Sequence, residues 1–291
     1  MNGHAARRLA VWLCVTALIC IASLVAPSLI PHDPIATDLM SVNIGPCAEY
    51  PLGTDSVGRC IACRVITGLH TTLFSAFAVV LLAFSIGTVL GAVSGYVGGA
   101  LDAVLMRVTD AFMAFPSLVL SIAVAGLLGG GLTNAIIALA IPDWTKYARL
   151  ARSQVLAMKG RTFVRAETIG GLPSALIAVK HVLPNILPSL VSMACLDVGG
   201  MMLNLAGLSF LGLGANPPAP ELGSMVNQAS ATFQLAPWAV FAPGAAILIV
   251  VMVLNMFGDS VNDFLNAHAR GSLKHRSRRG KPVKSTRGEL A

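Results

Sequence analysis

The residues of this sequence that could do chemistry are a cysteine pair and an aspartate inside an apolar run. Cys60 and Cys63 form a C-x-x-C, and Cys47 lies nearby. Such a pair can bind zinc or cycle as a disulfide, but zinc patterns add a second pair or a histidine cluster. The sequence shows no such complement, so we predict no metal site. If this segment lies outside the cytoplasm, a disulfide that includes Cys47 is the alternative.

The aspartate is Asp197, and Asn204 follows it on the same helical face. A charge in the hydrocarbon region costs at least ~2.5–3.5 kcal/mol, so Asp197 must face a wet path or a partner group. Two interpretations stay open. Asp197 and Asn204 line a path, or Asp197 makes a structural hydrogen bond to a neighbouring helix.

Motifs of enzymes and nucleotide-binding proteins do not occur in the sequence. There is no G-x-x-x-x-G-K-[ST], no H-E-x-x-H and no G-x-S-x-G. We therefore predict no enzyme activity, no catalytic residue and no cofactor bound by this chain, ATP included.

The composition indicates a membrane protein. Of 291 residues, 55% are hydrophobic and 11% charged, whereas soluble domains carry roughly 25% charged residues. The net charge of +7 does not indicate nucleic acid, because eight of the basic residues lie in one tail after residue 265. That tail is a solvated cytoplasmic segment or a contact with anionic membrane lipid.

Apolar runs of about 20 residues, the length of a bilayer crossing, predict an all-α protein with about six transmembrane helices. The runs cover residues 9–30, 72–96, 111–128, 134–149, 186–211 and 238–262. The first run resembles a signal peptide but lacks a clean cleavage site, so we expect a retained helix. We divide the chain into an N-terminal helix (1–30), an outer loop (31–70), a core (71–263) with a polar segment (151–185), and a basic tail (264–291).

The basic residues predict the orientation. With six spans and both termini in the cytoplasm, all of the 20 Lys and Arg residues except Arg59 and Arg64 lie inside, as the positive-inside rule requires. Five or seven spans would put either the polar segment or the tail on the wrong side.

The second span carries a glycine at every fourth position, at Gly87, Gly91, Gly95 and Gly99. Such a row lets another backbone approach closely. We predict a helix-packing seam, either inside the subunit or with a partner, with chance in a glycine-rich chain as the alternative.

The polar segment predicts two short helices joined by a turn. Gly170 and Gly171 break the first helix, Pro173 suits the first turn of the second, and Pro184 closes it. A knob of this kind on a channel-like subunit suits docking to a separate motor, and a plain connector is the alternative.

At these residues the sequence resembles the permeases of binding-protein-dependent ABC importers, in particular the second permease of dipeptide, oligopeptide and nickel systems. The knob is similar to the family signature E-A-A-x3-G-x9-I-x-L-P at Ala166, Gly171, Leu183 and Pro184, with His181 and Asn185 as in the peptide group. Four further motifs match in order, and they occupy residues 52–59, 96–110, 208–220 and 255–263.

The resemblance implies a type I ABC importer permease with a cytoplasmic coupling-helix loop in a bacterial inner membrane. It implies as partners a homologous permease in a heterodimer, two ATPase subunits that hydrolyse ATP, and an extracytoplasmic solute-binding protein. The coupling residues it implies are Ala166, Glu167, Gly170, Gly171, His181, Leu183, Pro184 and Asn185. A peptide is the expected substrate, and nickel or a nickel chelate is the alternative. A secondary carrier is the rival from another class.

Several positions depart from the family pattern. The first glutamate of the signature is Arg165 here and its second alanine is Glu167, which moves the acidic side chain about 200° around a helix. Cys60 stands where the family has an aspartate after G-R. We expect an altered docking surface at the first of these positions.

Overall fold

The computed structural model describes residues 2–279, with side chains except at positions 2, 3, 163, 165, 168, 174, 175 and 266–279. Within that range the chain forms helices and no β-strand. The helices are α1 (Asn2–Val25), α2 (Ile61–Val97), α3 (Gly99–Met113), α4 (Ser117–Leu128), α5 (Leu132–Lys159), α6 (Thr162–Ile169), α7 (Ser174–Ile177), α8 (Leu183–Phe210), α9 (Leu222–Ser230) and α10 (Trp238–Arg279).

The prediction of an all-α membrane protein is confirmed. Four helical segments in the described part of the chain are long and apolar enough to cross a bilayer, namely His4–Ser28, Ile61–Val97, Ala178–Phe210 and Trp238–Leu265. A fifth candidate is the pair α3 and α4. Taken together the two helices are long and apolar enough to cross a bilayer, but they are bent by 88° at the break between them. The predicted span 111–128 crosses that break and is therefore wrong in its first turn.

The remaining predicted span lies in α5, which is longer than expected. At 28 residues it exceeds the length that a bilayer requires. It is nevertheless not apolar enough to count among the segments named above. Two of its charged side chains face protein rather than lipid, since Asp143 is buried and Arg152 forms two hydrogen bonds to Asp102. Residues 151–159 are thus helix, not loop.

Two other boundaries differ from the prediction. Residues 61–70 were expected in a loop and form the first turns of α2. The short helix α9 was not predicted, and it begins at Glu221, whose buried carboxylate accepts hydrogen bonds from the amides of Gly223 and Ser224. Such an N-cap satisfies donors that a buried helix end would otherwise leave unpaired.

The glycine row of α2 lies against α5. A Cβ added at Gly87 would lie 2.6 Å from Cβ of Tyr147, and one at Gly91 would lie 2.7 Å from Cα of Ala148. At Gly95 the nearest atom would be the carbonyl oxygen of Arg152, at 2.9 Å. All three distances are closer than real Cβ atoms tolerate, so only glycine permits this approach.

The prediction was wrong for Gly99. This residue begins α3 with φ of +63°, and no atom lies within 4 Å of the position of a Cβ. The chain leaves α2 at Gly98, which has φ of +73°. Positive φ at two successive residues ends α2. The spacing of one glycine every four residues therefore continues in the sequence past the end of this helix.

Two ends of the helix bundle are defined by contacts between distant residues. At one end Arg8 pairs with Asp263 at 3.5 Å, and Lys159 donates to the carbonyl of Tyr96 at 2.7 Å. At the other end the indole of Trp238 donates to the carbonyl of Thr54 at 3.2 Å. The start of α1, the ends of α2 and α5 and residue 263 of α10 therefore lie together, opposite the segment 29–60.

The segment 29–60 is fixed to the second end by buried arginines. Arg59 pairs with Asp55 at 2.7 Å and donates to Gln228 of α9 at 3.0 Å. Arg64, which is 1% exposed, donates to the carbonyl of Pro34 at 2.8 Å and to that of Pro218 at 3.2 Å. These bonds hold the segment 29–60 in a defined position against α2 and α9.

We predict that Gly91→Ala lowers the free energy of unfolding by ~1–3 kcal/mol, because the methyl group overpacks the contact between α2 and α5. Thermal unfolding in detergent measures this loss. Gly207→Ala in α8 is the matched control, since no atom lies within 4 Å of its Cβ position. It should be neutral or gain up to ~1 kcal/mol from helix propensity. Equal stability of both variants would contradict the close contact.

Candidate functional site

Two regions carry the candidate functional residues, a charged cavity in the bundle and the knob at one of its ends. The cavity has a volume of about 450 Å³ and lies beneath the bend between α3 and α4. Asp197 and Asn204 of α8 both line it. The two interpretations of Asp197 are therefore compatible, because the same carboxylate also bonds to a neighbouring helix.

Three residues of α5 surround Asp197. Lys146 forms ion pairs with Asp197 and with Asp143, the latter at 2.7 Å. The hydroxyl of Tyr147 donates to Oδ2 of Asp197 at 2.7 Å. We call these four residues the charged cluster. Two carboxylates and one ammonium give it a formal charge of −1.

Sequence reasoning missed most of the charged cluster. Lys146 was counted with the basic residues of the inner side, and Asp143 was not among the candidate residues. In the structure Asp143 is 6% exposed and Lys146 faces the cavity. The available signal was the spacing of three residues between Asp143 and Lys146, which brings both side chains to one face of a helix.

One acceptor in the charged cluster has no partner. Oδ1 of Asp143 bonds to Lys146, whereas its buried Oδ2 has none among the described atoms. A buried charged acceptor without a partner is costly. Asp143 lines the cavity, whose wall also contains the aromatic rings of Phe112 and Phe115.

The knob consists of α6, the glycine turn, α7 and residues 178–185, which follow it. Gly171 has φ of +81°, and the amide of Leu172 donates to the carbonyl of Glu167 at 3.2 Å. A left-handed residue followed by this bond is the Schellman ending of a helix, which favours glycine. The predicted break of the first short helix at Gly170 and Gly171 is present.

The second short helix does not end at Pro184. After α7 the chain passes through one π-helical turn, Ala178–Val182, and continues as α8 without a break. A proline in a helix removes one hydrogen bond and crowds the carbonyl four residues earlier. The wider π turn, in which the amide of Leu183 donates to the carbonyl of Ala178, gives Pro184 the room to remain helical.

The residues of the coupling signature lie close together on the knob. Glu167 of α6 lies 3.3 Å from Nδ1 of His181, so the displaced acidic residue connects the two halves of the knob. The side chain of Asn185 donates to the carbonyl of His181 at 2.6 Å. Ala166, Gly170, Gly171 and Pro184 are exposed, and Leu183 is half-buried. The side chain of Arg165, which stands where the signature has its first glutamate, is outside the side chains that the structure describes.

The knob is anchored to α5 by apolar side chains. Val164, Ile177 and Val182 are 4% exposed or less and belong to one core cluster with Ala151 and Val155 of α5. Burial of such a side chain stabilises by ~1.5–3 kcal/mol. The knob is thus packed on the same helix that carries most of the charged cluster.

The structure describes only part of the predicted basic tail (264–291). The helix α10 continues to Arg279, and residues 280–291 lie outside the described residues. None of the six cysteines, all of which lie in the described range, forms a disulfide, and Cys47 is exposed whereas Cys60 and Cys63 are buried.

Comparisons with known proteins agree with these features. Residues 87–271 match the family model of the binding-protein-dependent transport system inner membrane component. The chain is 41% identical to the nickel transport system permease protein NikC of Escherichia coli, over 88% of this chain and 92% of that one. It is 36% identical to the dipeptide transport system permease protein DppC of Haemophilus influenzae, over 86% of each.

The fold is also that of a solved transporter. An inward-facing structure of the MetNI methionine ABC transporter matches with a TM-score of 0.55 and 20% identity, covering 70% of this chain and 97% of that one. The type I ABC importer permease fold that was predicted is thereby confirmed.

We predict that Lys146→Met lowers the free energy of unfolding by about 3 kcal/mol, because it leaves two desolvated carboxylates without their shared cation. The combined variant with Asp143→Asn and Asp197→Asn should recover most of that loss. Thermal unfolding in detergent measures both. The control is Arg149→Met, which breaks a half-exposed pair with Asp110 and should cost less than about 1 kcal/mol. Equal losses for Lys146→Met and Arg149→Met would show that the charged cluster is well solvated.

Proposed function

Because the chain belongs to the family of binding-protein-dependent transport system inner membrane components, we propose that it forms half of the import path for di- or oligopeptides. Family membership makes it a multi-pass membrane permease subunit of an ABC importer of the dipeptide and nickel group, and not itself an enzyme. The observation that carries the peptide proposal is the charged cavity.

The chemistry of the cavity suits a zwitterionic chain with a free amino terminus. The carboxylates of Asp143 and Asp197 line the cavity and suit an ammonium, and Asn204 offers both a donor and an acceptor to a peptide group. Phe112 and Phe115 give apolar surface for side chains of varied type. A net charge of −1 attracts the amino terminus, whereas Lys146 prevents two bare carboxylates from holding it too firmly.

Nickel or a nickel chelate is the second candidate, favoured by the 41% identity to a nickel permease. Nickel prefers imidazole and other nitrogen ligands, and the residues described as lining the cavity include neither histidine nor cysteine. Carboxylates alone suit harder cations. The cavity therefore favours the peptide.

The family implies ATPase and binding-protein partners, and we propose a specific arrangement for them. A homologous permease completes the path in a heterodimer, and two ATPases, which bind the ATP, dock below the knob. The binding protein docks on the opposite end, at the segment 29–60. Both chain termini are then cytoplasmic. The start of α1 and residue 263 lie at the same end of the bundle as the last turn of α5, which leads into the knob.

The knob presents a surface that suits ATPase docking. Ile169 is 87% exposed, Val179 64% and Leu176 45%. They lie on either side of the glycine turn, so one contact would hold both halves of the knob. Large apolar side chains at the centre of a docking patch supply much of its affinity.

We predict that Ile169→Glu reduces co-purification of the ATPases at least ~10-fold, because a charge replaces an apolar anchor of the docking patch. Gly171→Pro should abolish it, since proline cannot adopt the φ of +81° found there. The measurement is the amount of ATPase that remains with the tagged permease after membrane extraction.

The control for these variants is Leu235→Glu, an exposed leucine at the opposite end, which should keep the ATPases bound. All variants must insert into the membrane in normal amounts. Normal ATPase recovery with Gly171→Pro would refute the docking role. Uptake that persists without ATPase would favour the secondary carrier.

For the substrate, we predict that Asp143→Asn lowers uptake of a labelled dipeptide at least ~10-fold in cells that carry the complete system, because a hydrogen bond to a charged group is worth about 1.5–3 kcal/mol. Asp110→Asn is the control, because Asp110 is half-exposed and lies outside the cavity. Excess Ni²⁺ should not compete. Saturable uptake of radioactive nickel that dipeptides leave unchanged would replace the peptide by nickel as the substrate.

A further inference from the structure

At the end of the molecule opposite the knob, the structure brings a histidine to the cysteine pair. One nitrogen of His32 and the Sγ atoms of Cys60 and Cys63 all lie within 4.8 Å of one another. Their spacing in the sequence does not suggest a common site, because His32 precedes Cys60 by 28 residues. We propose that these three side chains form a binding site for a thiophilic divalent cation of the Zn²⁺ class.

The donor set fits such an ion. Two thiolates and one imidazole are a Cys₂His set, and zinc sites with three protein ligands keep a fourth position for water or an added ligand. With Zn–S of about 2.3 Å, tetrahedral geometry puts the two sulfurs about 3.8 Å apart. The ligand atoms, which lie within 4.8 Å of one another, need move by at most about 1 Å to reach this geometry. Two thiolates balance the double charge of the ion.

The site is enclosed rather than exposed. Cys60 is 4% exposed and Cys63 2%, and Nδ1 of His32 is buried without a hydrogen-bond partner among the described atoms. A buried imidazole nitrogen without a partner is costly unless something else satisfies it. A bound cation that accepts its lone pair removes that cost.

The surrounding structure holds the three ligands in place. The guanidinium of Arg64, the residue after Cys63, donates to the carbonyl of Pro34 at 2.8 Å and so keeps the segment of His32 on the start of α2. The ring of His32 packs on Tyr50, with centroids 5.2 Å apart. Cys60 directly precedes α2 and Cys63 lies in its first turn, so the helix fixes the spacing of the two cysteines.

The ion would join the segment 29–60 to α2, on the surface where a binding protein is proposed to dock. The competing chemistry is a disulfide between Cys60 and Cys63, in which the two thiols lose two electrons to an external oxidant and cannot bind a metal. The proposal does not depend on the substrate of the transporter.

Cobalt titration of the full chain tests the site. The chain is purified in detergent under reducing conditions, stripped of metal with a chelator and titrated with Co²⁺, whose bond to thiolate gives charge-transfer absorption. We expect one Co²⁺ per chain, displaced by Zn²⁺. Cys60→Ser, Cys63→Ser and His32→Ala should each weaken binding at least ~10-fold, since even the loss of a group that merely supports a ligand costs 10–100-fold. Cys14→Ser, an exposed cysteine outside the site, should bind as the unaltered chain does.

A second measurement needs no variant and so does not depend on how the variants fold. Because Cys60 and Cys63 are buried, they react with an alkylating reagent through local opening. Zn²⁺ should slow their alkylation relative to the metal-free chain, read by peptide mass spectrometry, and leave the rate at Cys14 unchanged. The proposal is overturned by any of three results. The first is the absence of saturable Co²⁺ binding by the reduced chain. The second is Co²⁺ binding that the Cys60→Ser and Cys63→Ser variants leave unchanged, together with alkylation of both cysteines at the same rate with and without Zn²⁺. The third is a Cys60–Cys63 disulfide as the main form isolated without reductant.

Discussion

The close contact between the backbones of α2 and α5 is the interaction on which both candidate functional regions depend. Gly87, Gly91 and Gly95 let α5 approach to a distance that no other residue allows. In lipid there is no hydrophobic drive to bring helices together, so such close packing must supply the association. Because α5 carries both the charged cluster and the apolar anchor of the knob, its position determines theirs.

The charged cluster is a demanding feature for a protein interior. Ion pairs repay their desolvation only when their geometry is good and the remaining oxygens are bonded. Lys146 and the hydroxyl of Tyr147 both bond to one oxygen of Asp197, Oδ2. Asp143 likewise has a partner for one oxygen only. A subunit that needed only stability would be better served by apolar residues here, so the unbalanced charge supports the proposed role of the charged cluster in binding the substrate.

The sequence predicted those parts of the fold that depend on local spacing. The apolar runs located the main spans, the glycine row located the contact with α5 as far as Gly95, and Gly170 with Gly171 located the turn of the knob. It could not predict where a regular spacing stops being helical, as at Gly99, or that a π turn would accommodate Pro184. It also could not bring together residues from separate elements, as Lys146 with Asp197 or His32 with Cys60.

The physical connection between the knob and the cavity runs along α5. Val155 of α5 packs with Val164, Ile177 and Val182 of the knob, and about two and a half helical turns earlier Lys146 faces the cavity. The helix between them is continuous, and its proline, Pro142, lies beyond the charged cluster as seen from the knob. Proline weakens a helix where it removes a hydrogen bond. A force on the knob therefore moves the part of α5 that carries Lys146 and Asp143 as a unit, and any bending is concentrated near Pro142, on the far side of the cavity charges.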